Sequence, residues 1–237
     1  MDREKIWTWI EALTDPAEGN PENRPPDAPD DDDGPLRANA TGILPSPDDI
    51  RRIQCIVDTR FSQLRQLRNY RRHAFEIALG ASLLARAAGE SEQGCRKCAM
   101  AGYVHDVGKL AVAAALSRRA GPLHGTPWRD MQTVLQQERE NLGTDHAETG
   151  TKIAEKLAIE PELLAAIAHH HDPDQSDDVT AGFVFLAHFL TFDSTELARV
   201  LELLPMDLLG RLNLSVLDFL AARDQFMARQ REELVRH

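Results

Sequence analysis

From Ile50 towards the C-terminal end, apolar side chains return every three or four residues, and no stretch alternates apolar with polar residues over the length of a strand. A period near 3.6 gives each segment one apolar stripe, which is buried only by packing against the stripes of other helices. Leucine, alanine and glutamate are abundant, glycine and proline are modest, and aromatic residues make up 5% of the chain, all of which favours helices over sheets. The expected fold class is all-α, with no internal repeat.

Three regions follow from the composition along the chain. Residues 1–14 read as a short amphipathic helix, with Asp2 as N-cap and Ile6, Trp7, Ile10 and Leu13 at helical spacing, docked on the main domain. Residues 15–46 are a solvated, proline-rich linker carrying Asp30 to Asp33. Residues 47–237 form the helical domain. A helix starts at Ser46-Pro47-Asp48-Asp49, and a second stripe of Tyr70, His73, Ile77, Gly80 and Leu84 carries the helical pattern to about Gly89, either continuously or through a break, with Arg65, Arg68 and Arg72 on a solvated face.

A helix from Cys95 to Leu110 contains His105 and Asp106 near its end, and a short one spans Ala111 to Arg119. His124 falls in a breaker-rich surface loop, and a polar helix covers Trp128 to Asn141. Asp145 and Glu148 have capping-box spacing for a helix from His146 to about Ala158. The next helix starts at Glu160-Pro161 and runs into His169-His170-His171, where counting by three and four from Leu163, Leu164 and Ile167 puts His170 and His171 inside and His169 outside. Later helices span Val179–Thr191, Ser194–Leu204, Met206–Leu212 and Ser215–Arg236, the last capped by Ser215 and Asp218.

Net charge is −11, but residues 15–35 hold eight carboxylates and one arginine, so the rest of the chain is nearly balanced. Without clustered lysine and arginine, neither nucleic acid nor an anionic membrane is an expected partner. No run approaches the roughly 18 apolar residues of a membrane span, and the N-terminus lacks the order of a signal peptide, so a cytoplasmic protein is expected. Three cysteines suit a reducing compartment. Cys95-Arg-Lys-Cys98 has no partner pair and reads as one buried and one surface thiol on a helix rather than a zinc or redox site.

The chemistry lies in the histidines. His73, His146, His170, His171 and His188 each fall on a stripe otherwise made of Ile, Leu, Val, Ala and Gly, and His105-Asp106 closes another. Burying so many imidazoles separately requires a hydrogen-bond partner for each, whereas one metal site satisfies them together. Nitrogen and carboxylate donors without thiolate suit iron, manganese, cobalt, nickel or zinc better than calcium or magnesium.

These residues resemble the HD superfamily of helical metal-dependent phosphohydrolases, whose pattern is a histidine, then His-Asp, then a later aspartate. His73 fits the first position and His105-Asp106, within His-Asp-Val-Gly-Lys109, the second. The run Glu138-Arg-Glu-Asn-Leu-Gly-Thr-Asp-His-Ala-Glu-Thr-Gly150, the run Ile167-Ala-His-His-His-Asp-Pro173 and the leucine-rich segment 208–220 resemble the HDOD branch more closely. The likeness extends from about residue 66 to 220.

The resemblance implies an HD-type helical bundle in which His73, His105 and Asp106 bind one metal ion, Asp106 bridges to a second, and His146, His170 and His171 complete the second site. It implies one or two divalent transition-metal ions, iron or manganese foremost. Asp106 and Lys109 would be catalytic, Lys109 facing a substrate phosphate. Ala187-His188 stands where the family has Ala-Asp, so His188 is the candidate for the last metal position, and the Gly-Tyr-Pro signature of the related HD-GYP phosphodiesterases is missing after His171. The expected activity is hydrolysis of a phosphate-containing, nucleotide-like small molecule. The rival expectation, from the HDOD likeness and His188, is a signalling module that binds a partner protein or nucleotide and catalyses nothing. The oligomeric state is left open.

Overall fold

The structure is a computed structural model in which residues 67–116, 131–157 and 159–236 are described. The expected N-terminal helix, the acidic linker, the start of the Ser46 helix and the loop with His124 lie outside the described residues. Within them every regular element is helical: α1 (Leu67–Ala87), α2 (Glu92–Val104), α3 (Val107–Leu116), α4 (Met131–Leu142), α5 (His146–Lys156), α6 (Pro161–His169), α7 (Val179–Leu190), α8 (Leu197–Leu203), α9 (Met206–Arg211) and α10 (Val216–Arg236), with short 3-10 turns at Pro173–Gln175 and Ser194–Glu196.

The helix starts use the capping chemistry of their sequences. Ser91 Oγ accepts from Gly94 N at 3.1 Å ahead of α2, and Asp145 Oδ1 accepts from Glu148 N at 2.9 Å ahead of α5. Ser215 and Asp218 bond reciprocally ahead of α10: Ser215 N donates to Asp218 Oδ2, and Asp218 N donates to Ser215 Oγ. Pro161 occupies the first turn of α6. Asp178 caps α7 through Thr180 N and also ion-pairs Lys97 on α2, which ties the start of α7 to its neighbour.

Helix α1 lies at the centre, packed on α2, α7 and α10, while α3 packs on α5, α5 on α6, and α6 on α7 and α2. The main core gathers Ile77, Leu84, Tyr103, Ile167, Phe183, Phe189, Phe219 and Phe226. A smaller cluster of Val107, Ala111, Val112, Leu142 and Ile153 fills the space between α3, α4 and α5. Backbones approach closely where side chains are absent. A Cβ on Gly102 would lie 2.8 Å from Ile77 O, and one on Gly108 would overlap the carbonyl oxygen of His146.

The structure departs from the sequence reading in two places. The expected helix 95–110 is divided, and its expected boundary with the helix from Ala111 is absent: α2 ends at Val104, His105 and Asp106 form a turn, and α3 runs unbroken from Val107 to Leu116. Helical spacing continues across that turn, because His105 keeps right-handed helical dihedrals and Lys109 N bonds back to Asp106 O, so the break leaves no gap in the apolar pattern. Cys95 and Cys98 are both buried, not one buried and one exposed. Burial raises both thiols above their ordinary pKa, which makes them packing residues rather than reactive ones.

Candidate metal centre

Seven side chains from α1, α5, α7, the α2–α3 turn and the end of α6 converge on one place. His73 comes from α1, His105 and Asp106 from the turn, His146 from the first position of α5, His170 and His171 from the end of α6, and His188 from α7. Their donor atoms fall into two groups, each within 4.8 Å: His73, His105 and His188, then Asp106, His146, His170 and His171. Every metal-site residue expected from the sequence is present. The grouping differs in one respect: Asp106, expected with His73 and His105, falls with His146, His170 and His171, while His188 stands with His73 and His105.

Asp106 joins the two groups. Its Oδ2 lies 3.4 Å from His73 Nε2 and 3.2 Å from His105 Nε2, whereas its Oδ1 lies 3.6 Å from His146 Nε2 and 3.4 Å from His170 Nε2. One carboxylate thus presents one oxygen to each set.

The far side of four of the rings shows which nitrogen carries hydrogen. In the neutral imidazole, His105 Nδ1 donates to Gly102 O at 2.7 Å, His188 Nδ1 to Val184 O at 2.9 Å and His170 Nδ1 to Ile167 O at 3.0 Å. His146 Nδ1 donates to Glu138 Oε2 at 2.7 Å. With Nδ1 protonated in these four rings, Nε2 is a bare lone pair pointed inward. Burial favours the neutral form: it lowers the pKa of His105 to about 4, lowers that of His170, and pushes those of His171 and His188 well down. Burial alone would raise Asp106, but neighbouring His105 and Lys109 outweigh it and keep the group ionised, well below the usual carboxylate range. Lys109 carries the lasting positive charge of the two, since His105 is neutral above about pH 4.

The centre is therefore a set of acceptors facing acceptors. His105 Nε2, His170 Nε2, His188 Nε2 and Asp106 Oδ1 are buried without a hydrogen-bond partner, while His146 Nε2 accepts from His171 Nε2 at 2.6 Å. Orphaned acceptors of this kind are costly in a protein interior, and a shared cation is the species that satisfies them together. The donor set fits a divalent transition-metal ion.

Lys109 lies beside this arrangement, its Nζ 2.7 Å from Asp106 Oδ2. The resemblance has this lysine face a phosphate; here its ammonium holds the carboxylate that serves both groups. Its side chain is 15% exposed and that of His73 is 25% exposed, so the centre meets solvent at this edge.

The sequence reading assigned no role to Glu138. It is buried on α4 and accepts from both the backbone N and Nδ1 of His146, fixing the tautomer of that ring. The signal was available: Glu138 lies on one face of α4 with Leu135 and Leu142, a carboxylate on an otherwise apolar stripe. His171 reaches the centre through the turn that ends α6 rather than by helical phase, with its ring 3.9 Å from that of His170.

Ribonuclease Y of Thermus thermophilus is 37% identical over 83 residues, which is 35% of this chain and 13% of that protein. Ribonuclease Y of Deinococcus radiodurans is 37% identical over 79 residues, 33% of this chain and 12% of the relative. The chain thus spans about an eighth of the length of the curated relatives it matches. A solved structure from Shewanella amazonensis, named a "Putative phosphohydrolase", superposes over 93% of this chain and 88% of its own with a TM-score of 0.48 and 17% identity. The family model of the HDOD domain matches residues 52–173, just over half the chain and all seven converging residues except His188, and the chain belongs to the HDOD domain family.

Proposed function

We propose that this chain is a metal-dependent phosphohydrolase or phosphodiesterase acting on a nucleotide-like substrate, with one or two divalent transition-metal ions, iron or manganese foremost. The proposed ligands are His73, His105, Asp106, His146, His170, His171 and His188. The observation that carries the reading is the ring of buried, unpaired lone pairs around Asp106. When bound, a divalent cation supplies Lewis acidity that polarises a phosphoryl group and lowers the pKa of water. The chain's own residues do the rest. Gly102 O, Val184 O, Ile167 O and Glu138 lock four rings in the required tautomer. Asp106 keeps both sets in register, and Lys109 offers a positive charge at the solvent edge, where phosphate oxygens would arrive.

The test is elemental analysis of protein purified without chelator, followed by hydrolysis assays with manganese or iron on generic phosphomonoesters, phosphodiesters and a short RNA. The RNA arm is included because the similarity to ribonuclease Y covers a third of the chain. The expected result is bound transition metal and turnover of a small phosphate ester. Less than about a tenth of an equivalent of metal, with no turnover, overturns the proposal.

A second reading, a signalling module that binds a partner and catalyses nothing, is favoured by His188, which leaves the His73 and His105 set without a carboxylate of its own. His188→Asp separates the two: activity that appears only in the variant points to the module, whereas loss of a native activity in His188→Ala makes the histidine a working ligand.

A further inference from the structure

We propose that a second divalent ion enters this centre only together with a dianionic phosphate, so that the preferred ligand is a terminal phosphate ester rather than an internal diester. This rests on the metal-dependent reading above.

Among the described residues, the two groups of donor atoms comprise six imidazoles and one carboxylate. An imidazole binds a cation through an unprotonated ring nitrogen, so each of the six donates an electron pair but no charge. Asp106 is thus the single anion among the ligand atoms, with its two oxygens already divided between the sets. One divalent ion leaves a surplus of one positive charge, and a second raises it to three. Lys109 adds a further unit at Asp106 Oδ2, and Glu138, behind His146, returns one. His105, Asp106 and His170 are each 1% exposed or less, so water cannot screen this surplus. A mobile anion must accompany the second cation, and hydroxide from bound water offsets only one unit of the surplus.

Among the described residues of the centre, His73 and Lys109 reach solvent, and the anion would enter at their edge. A monoester phosphate, doubly charged above about pH 7, reduces the surplus to one unit charge and offers three free oxygens. A diester monoanion leaves two units and offers two oxygens. The same count makes His188 a selectivity device: a carboxylate there would supply internally the charge that the present chain must take from its ligand.

The experiment is equilibrium dialysis of the full chain against excess manganese(II) at about pH 7.5, in buffer alone, with inorganic phosphate, or with dimethyl phosphate, followed by elemental analysis. The expected content is about one manganese per chain in buffer and in dimethyl phosphate, and about two in inorganic phosphate. Coupling is reciprocal, so phosphate should bind roughly tenfold or more tightly as manganese rises from one equivalent to excess. Two equivalents in phosphate-free buffer, or one in every buffer, overturns the proposal while leaving the metal-dependent reading intact. Absence of bound metal in all three overturns that reading as well. His188→Asp should load close to two equivalents without phosphate; a folded variant that still requires phosphate overturns the charge argument.

Discussion

Asp106 has one negative charge and serves two sets of imidazoles, so the residues that orient those imidazoles matter as much as the ligands. Glu138 is the clearest case. Glu138→Gln keeps the shape but removes the charge that holds the His146 Nδ1–H bond, and it should weaken metal binding by about 10-fold or more, read by competition with a chelator. An unchanged affinity would show that His146 does not depend on its buried partner. The rings also predict a pH dependence. In metal-free protein His105 titrates near 4 instead of 6.5, so as pH falls between those values the unfolded chain binds a proton that the folded chain refuses. Stability should therefore drop as pH falls through this window, by about 1.4 kcal/mol per pH unit for each proton fully taken up. His170, His171 and His188 are shifted in the same direction and steepen the slope. Urea unfolding of metal-free protein at about pH 7 and pH 5 checks this, and equal midpoints would contradict the neutral tautomers.

At the scale of elements, the centre depends on how closely α3 crosses α5. Gly108 faces His146 O and Gly150 N across that crossing, and a Cβ there would run into backbone at both. Gly108→Ala should destabilise the protein by about 3 kcal/mol or more and lower metal content, because α5 must retreat and carry His146 with it. A variant with wild-type melting temperature and metal content would refute this. Most of the element order was legible in the sequence for a physical reason: each helix buries one stripe, and the histidines lie on those stripes, so helical counting alone brought His73, His146, His170 and His188 inward. What counting did not reveal was the division of α2 from α3, because the turn preserves helical phase. The stripe of Leu135 and Leu142 turns Glu138 inward, but its partner His146 is set by α4 lying beside the start of α5, a tertiary fact that periodicity does not carry.

Over the whole molecule, the two hydrophobic clusters divide the work. The main core around α1, α2, α6, α7 and α10 carries most of the buried apolar surface, and the α3–α5 cluster is small. Phe226 on α10 is fully buried in the main core, and Phe226→Ala should cost about 3–5 kcal/mol in urea unfolding while leaving metal stoichiometry unchanged. The ligands span both clusters, with His146 on α5 and His73 and His188 on α1 and α7. Bound metal should therefore slow amide hydrogen exchange in α3 and α5 more than in α10, and uniform slowing would contradict the division. The turn between α2 and α3 has a further consequence. His105 and Asp106 are neighbours in the chain, so a single peptide bond, about 3.8 Å between Cα atoms, couples the two sets of rings. That junction tolerates no change in length. A residue added to a surface loop elsewhere is absorbed by the loop, whereas one residue inserted between 105 and 106 would split the centre into two incomplete halves.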